Sequence, residues 1–210
     1  MKLEILVEER SAERALGGLL PRIVPSVDFE IRVFRGKTDL LKKLPDRLKG
    51  YAAWITRADT YLVVLVDRDD DCLALKAEME QMAAAAGLPT ATAAPASRRV
   101  HVLNRIAVEE LEAWFFGDVP ALCAAYPRVP VSLGQQAKYR DPDAVLGGTW
   151  EALEHVLQAG GYHRGGLAKV AAATEIAQHM NVDVNCSRSF QVFRDGVRQL
   201  VAGGSSAAED

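Results

Sequence analysis

The sequence predicts an α/β fold: a mostly parallel sheet of about four strands flanked by helices, followed by a C-terminal helical region. Three observations carry that prediction. Strand and helix patterns alternate through residues 1–117, which is the signature of parallel strands joined by crossover helices. The run Tyr61–Val66 is continuously apolar and rich in β-branched residues, as a strand covered on both faces must be. Beyond Pro120 no strand pattern recurs, and helical periodicities are joined by Gly-, Pro- and Asp-rich loops.

In chain order, Lys2–Val7 reads as the first strand, with Leu3, Ile5 and Val7 on one face. Ser11 can cap a helix whose apolar stripe runs from Ala12 to Ile23 and which Pro25 closes. Phe29–Phe34 alternates as a second strand and ends at Arg35-Gly36-Lys37. A helix from about Asp39 is expected to be interrupted near Pro45, with another over Tyr51–Arg57. After the Tyr61–Val66 strand, a helix covers Cys72–Ala86, then Pro89–Ser97 is a loop, Arg98–Leu103 a fourth strand and Val108–Phe116 a helix. Further helices are expected at Val119–Ala125, Thr149–Ala159, Leu167–Met180 and Ser189–Val201. The division is therefore an α/β core over residues 1–117, a helical region packed on it over 118–202, and a disordered tail over 203–210.

Composition sets the boundaries for function. The chain of 210 residues has 25 Lys+Arg against 28 Asp+Glu and 49% hydrophobic residues, close to the globular average, which excludes a fibrous or disordered protein. Its longest apolar run falls far short of the roughly 20 residues a membrane span needs, so no membrane partner is expected. Met1-Lys2-Leu3-Glu4 does not read as a secretory signal, and three well-separated cysteines, Cys72, Cys123 and Cys186, point to the reducing cytoplasm. A formal charge of −3 argues against holding nucleic acid by charge alone. The acids are unevenly spread, and they cluster in the middle of the chain.

The buried strand runs straight into Asp67-Arg68-Asp69-Asp70-Asp71. Ligands of open parallel sheets bind outside the carboxyl ends of the strands. Like charges crowded there, roughly 5 Å apart at an effective dielectric near 20, repel by about 3 kcal/mol per pair. A hard divalent cation, Mg²⁺ with Mn²⁺ as an alternative, relieves that repulsion. Asp67 and Asp69 point the same way while the chain is extended, whereas Asp69–Asp71 also stand where acids cap a helix. Asp67 comes too early to be a cap. The first strand ends similarly, at Glu8-Glu9, of which Glu8 is favoured to face the site. Glu109-Glu110-Leu111-Glu112 follows the fourth strand, again on the carboxyl side. The metal-ligand candidates are thus Glu8, Asp67, Asp69, Asp71, Glu109 and Glu110.

Leu6-Val7-Glu8 and Val64-Leu65-Val66-Asp67-Arg68-Asp69 resemble the Toprim (topoisomerase–primase) superfamily, which places a glutamate after its first strand and a D-x-D after a later one. The glycine usual after that glutamate is here Glu9. The fuller resemblance, in Leu6-Val7-Glu8-Glu9, Val66–Asp70, Glu109–Phe115, Gly147-Gly148-Thr149-Trp150-Glu151 and Ser189-Phe190-Gln191, is to the bacterial DUF4276 family. The Toprim resemblance implies a Rossmann-like core and a Mg²⁺-dependent nuclease that cleaves phosphodiester bonds of DNA or RNA. In it Glu8, Asp67 and Asp69 would be catalytic, Glu8 serving as general base or acid, and Glu109 or Glu110 would hold a second ion. It also implies a bacterial anti-phage setting and an ABC- or AAA-type ATPase partner. The rival expectation is a non-catalytic subunit regulating such an ATPase.

Phosphate contacts are expected from Lys37 after the second strand, and from His163, Arg164 and Lys169 around a glycine-rich turn and the helix behind it. No GxxxxGK[ST] pattern occurs, so the chain is not itself a P-loop ATPase. Trp114, Phe115 and Phe116 are expected in the core. Weak basic charge makes delivery of a substrate by a basic partner, or by a homodimer, the expected route to nucleic acid.

Overall fold

The computed structural model describes residues 1–68, 71–92 and 100–205. Four strands, β1 (Lys2–Val7), β2 (Asp28–Val33), β3 (Thr60–Asp67) and β4 (Val102–Ala107), form one sheet in the order β2-β1-β3-β4. All neighbours are parallel: Val7 stands opposite Leu65 and Val33, and Asp67 opposite Ala107. The mostly parallel sheet expected from the sequence is parallel throughout, and its carboxyl ends share one rim.

The central strands are covered on both sides. Tyr61, Val63 and Leu65 join Leu3, Ile5 and Val7 in one apolar cluster, while Leu62, Val64, Val66 and Leu6 enter another. Helices α2 (Lys37–Ala52) and α3 (Cys72–Ala85) cover the second cluster, through Leu40, Leu44, Leu48, Met79 and Ala83. Helix α1 (Arg10–Ile23) covers the first. The C-terminal helices α4 (Glu112–Phe116), α5 (Val119–Ala125), α6 (Thr149–Ala159), α7 (Lys169–His179) and α8 (Arg188–Ser205) add to that same cluster. Trp114, Phe115 and Phe116 are fully buried within it, Trp114 between the rings of Phe190 and Phe193. Helix α7 lies against α1, where Gly18 faces Ala177 and the Arg22 guanidinium donates to the carbonyls of Ala177 and Met180, so Arg22 caps the end of α7.

Several boundaries differ from the sequence expectation, each for a physical reason. Glu9 is the residue before α1, and Ser11 lies inside the helix with its hydroxyl donated back to the Glu9 carboxylate. Helix α2 continues through Pro45 because Leu40, Leu44, Leu48 and Tyr51 form one buried stripe that outweighs the lost hydrogen bond; only a 3-10 turn, Ile55–Arg57, follows. Strand β4 begins at Val102, after Val100 and His101, and extends through Asn104 and Arg105, whose polar groups find tertiary partners; the expected start at Arg98 lies outside the described residues. The expected helix over Val108–Phe116 starts only at Glu112, because Glu109 takes φ +63° and turns the chain. Helix α8 extends to Ser205, so residues 203–205 are helical where a disordered tail was expected; 206–210 lie outside the described residues.

Candidate functional site at the carboxyl rim

The end of β1 and the end of β3 meet at Glu8 and Asp67. Parallel pairing brings the two chain ends level, and the Asp67 N–H donates to Glu8 Oε1 at 2.7 Å. Glu8 thus faces the third strand across the rim, while Glu9 turns to the start of α1 and accepts from Ser11. Burial first, then the charges of Glu8, Glu112, Glu9 and Glu110, push the Asp67 carboxyl well above the ordinary aspartate value. Asp69, the other half of the D-x-D, lies outside the described residues.

The acids after β4 divide by role. Glu109 pairs with the Arg68 guanidinium, which joins the ends of β3 and β4. Glu110 Oε2 accepts from the N–H groups of Thr149 (3.1 Å) and Trp150 (2.9 Å) and from the Thr149 hydroxyl (3.0 Å), so this carboxylate caps α6 from a distant segment. Gly148, at φ +86° before that helix, makes the turn that exposes those N–H groups. Glu112 is 1% exposed, and its Oε2 has no hydrogen-bond partner. Burial raises its carboxyl to about 7, against the pull of Lys169 and with the push of Glu110.

Lys169 opens α7 and brings a cation to this rim. Its Nζ stands 4.0 Å from Glu112 Oε1 and 5.1 Å from the centre of the Trp150 ring. The other phosphate candidates are placed differently. Lys37 begins α2, directly after Gly36, whose N–H bonds the Glu8 carbonyl at 3.0 Å. The His163 ring is held at both nitrogens, Nε2 by the Tyr126 hydroxyl (2.9 Å) and Nδ1 by the Ala168 N–H (3.4 Å), and orders the loop before α7. Arg164 is exposed on that loop. Asp71 Oδ1 caps α3, accepting from Leu73 N–H at 2.9 Å and Ala74 N–H at 3.0 Å.

The structure therefore gathers Glu8, Asp67, Glu110, Glu112 and Lys169 around one rim and turns Asp71 and His163 to structural tasks. Sequence reasoning named Glu112 within a cluster but gave it no role, and it missed Trp150. The signal for Glu112 was available: an acid inside the otherwise apolar Leu111–Phe116 run is costly to bury without a purpose. Among the described residues no three His, Cys, Asp or Glu side chains are grouped to hold an ion by themselves. The donor set still suits a hard cation. Mg²⁺ is commonly bound by one or two carboxylates completed by water and phosphate oxygens. Glu8 and Asp67 supply two carboxylates, and Glu112 adds a buried oxygen that has no hydrogen-bond partner.

Segments singled out in the sequence are joined to one another here. Glu110 ties the Glu109–Phe115 phrase to Thr149-Trp150, and the Trp114 indole donates to Ser189 Oγ at 3.0 Å. No curated protein and no solved structure matches the chain. A family model does, over residues 7–198, from the end of β1 into α8, and the chain belongs to that family, a domain of unknown function, DUF4276.

Proposed function

We propose that this chain is a Mg²⁺-dependent nuclease of Toprim type, cleaving phosphodiester bonds of DNA or RNA as the effector of an anti-phage system with an ATPase partner. The observation that carries this reading is the meeting of Glu8 and Asp67 at the carboxyl rim, where burial, and then the charges of the neighbouring acids, hold the Asp67 carboxyl well above the ordinary aspartate value. Glu8 and Asp67, with Asp69, would hold the ion. Once bound, it would supply charge stabilisation for the phosphate and for the departing alkoxide.

The chain's own residues divide the remaining work. The Asp67 N–H fixes one oxygen of Glu8, which keeps that carboxylate oriented toward the third strand. Its other oxygen is the atom assigned to accept or return a proton. Lys169, held over Trp150, offers an ammonium group to a phosphate oxygen and sets the backbone in the site. The overall acidity of the chain is the reason a partner is proposed: phosphate affinity must come largely from elsewhere.

The test is cleavage of single- and double-stranded DNA and RNA by the full chain with Mg²⁺ or Mn²⁺, beside calorimetric titration of the ion. Asp67→Ala is expected to lower cleavage by about a hundredfold or more and to abolish ion binding, with the circular dichroism spectrum unchanged. Full activity in that variant would end the assignment. A wild-type chain that binds no ion at this site would favour the regulatory-subunit reading.

A further inference from the structure

The two edges of the sheet are treated differently. The outer side of β4 is met by other segments at its start and beside Arg105. Ala91 N–H reaches the Val102 carbonyl (3.0 Å), His101 and Val102 N–H reach that of Pro89 (3.0 and 3.2 Å), and Thr90 bridges Val102 in parallel. Further along, Arg105 Nε donates to the Val192 carbonyl of α8 at 3.1 Å.

Strand β2 forms the other edge. The Phe34 N–H bonds the Val7 carbonyl at 2.9 Å, which fixes the parity of the strand: even-numbered residues turn their backbone groups to β1. Phe29, Ile31 and Val33 therefore turn theirs outward, and among the described residues no hydrogen bond joins those outward groups to another segment. Exposed edges of this kind template pairing with another chain unless something blunts them.

We propose that β2 is a dimerisation edge, on which a second copy of this chain pairs antiparallel about a two-fold axis centred on Ile31, joining the two sheets into one. The side chains select both occupant and register. Outward parity allows two-fold pairing centred on Glu30, Ile31 or Arg32. The first sets Glu30 against its own copy and the last sets Arg32 against its own copy, both like-charge contacts that oppose pairing. Centring on Ile31 sets Glu30 against Arg32 of the second copy, and does so twice by symmetry. These are non-hydrogen-bonded positions, where facing side chains approach most closely.

The same register sets Phe29 against Val33 of the second copy and Ile31 against itself, on the sheet face that packs toward α1. A groove lined by Glu13, Arg14, Gly17, Phe29, Ile31 and Gln178 runs beside that face, and adding a Cβ at Gly17 would meet nothing. Room for a second copy is thus present on the apolar side. Because the axis reverses strand direction, the two carboxyl rims would lie at opposite ends of the joined sheet, each complete in itself. The inference does not depend on the nuclease reading.

Light scattering on the full chain at concentrations up to about 0.1 mM tests it. The expected particle has twice the 22.8 kDa mass of one chain. Glu30→Lys sets lysine against Arg32 of the second copy and should weaken the dimer about tenfold or more. Ile31→Cys should cross-link under mild oxidant into a covalent dimer that neither wild type nor Phe29→Cys forms, since only position 31 meets itself. A monomer throughout the concentration range overturns the proposal. So does a dimer indifferent to Glu30→Lys, which would place the interface elsewhere, or equal cross-linking at positions 29 and 31, which would exclude this register.

Discussion

Among the described residues two glutamates are almost wholly buried, Glu4 in β1 and Glu112 in α4, at 2% and 1% exposure, and they titrate in opposite directions. Glu4 receives Lys2 at 2.7 Å, Arg32 at 2.8 Å and the Tyr51 hydroxyl at 3.1 Å. Burial alone would push its carboxyl up, but those hydrogen bonds prevail and hold it below the usual glutamate value. Glu112 has one ammonium at 4.0 Å and an oxygen with no partner, so burial wins. Both side chains are shut off from solvent, but Glu112 lies deeper in the protein and is also the poorer in donors. A buried acid that serves the fold is surrounded by cations, whereas Glu112 at the rim has only the Lys169 ammonium near it.

The largest expected effect comes from relieving the unbalanced acid. Glu112 rises from 4.5 to about 7 on folding, so below 4.5 it is protonated in both states and contributes nothing. As pH climbs through that interval the unfolded chain ionises more readily than the folded one, and stability falls until about pH 7. Glu112→Gln removes this penalty. The variant should be more stable than wild type at pH 8, by on the order of 3 kcal/mol, and indistinguishable from it at pH 4. Urea unfolding at the two pH values measures both. A variant less stable at pH 8 would mean that Lys169 compensates Glu112 far better than the 4.0 Å separation implies.

The paired acid should behave in the reverse sense and somewhat more weakly. Glu4→Gln keeps the shape but loses the charge that Lys2 and Arg32 meet, and both cations are about two-fifths exposed, so water replaces part of the loss. The expected destabilisation at pH 7 is about 2 kcal/mol. Because the folded value of Glu4 is lowered, its contribution is fully present above 4.5 and disappears as pH falls through the folded value. The difference between wild type and Glu4→Gln should therefore shrink on acidification below 4.5, whereas the Glu112 difference has the opposite sign and closes between about 7 and 4.5, and urea unfolding carried below pH 4 reads it. Equal pH slopes for the two variants would break the contrast.

How much of this was legible follows from the range of the forces involved. Strands β1 and β3 were readable as largely apolar segments, and β2 from its alternation of apolar and charged residues, each ended by charge or turn residues. Strand β4 was ended too early, at Leu103, because Asn104 and Arg105 argue locally against a strand; Asn104 is accommodated there as Glu80 receives its side-chain amide at 3.0 Å. Pro45 was read as a break because the local rule is strong and the buried stripe across it is a tertiary fact. At the rim, Glu8 and Asp67 were legible since strand ends in a parallel sheet share an edge. The approach of Lys169 to Glu112 was not, because it depends on how α7 settles against α1. The caps made by Glu110 on α6 and by Asp143, which accepts from Arg188 and Ser189 at the start of α8, likewise join segments that no local window spans.

Glu110 offers the smallest effect and the sharpest separation of a structural acid from a rim acid. Its Oε2 accepts three hydrogen bonds from Thr149 and Trp150, and its charge also adds to the repulsion that raises Asp67. Glu110→Ala removes the cap of α6 and should cost about 1 kcal/mol, a fall in Tm of roughly 2–4 °C. Glu110→Gln retains an accepting oxygen without the charge and should lose less than half of that. If Glu110 serves the helix, neither variant should change Mg²⁺ affinity by more than about threefold, which calorimetry resolves. A large loss of ion binding with an unchanged Tm would move Glu110 from the first class of acid to the second, and would place an ion bridging β4 and β1 rather than one confined to Glu8 and Asp67.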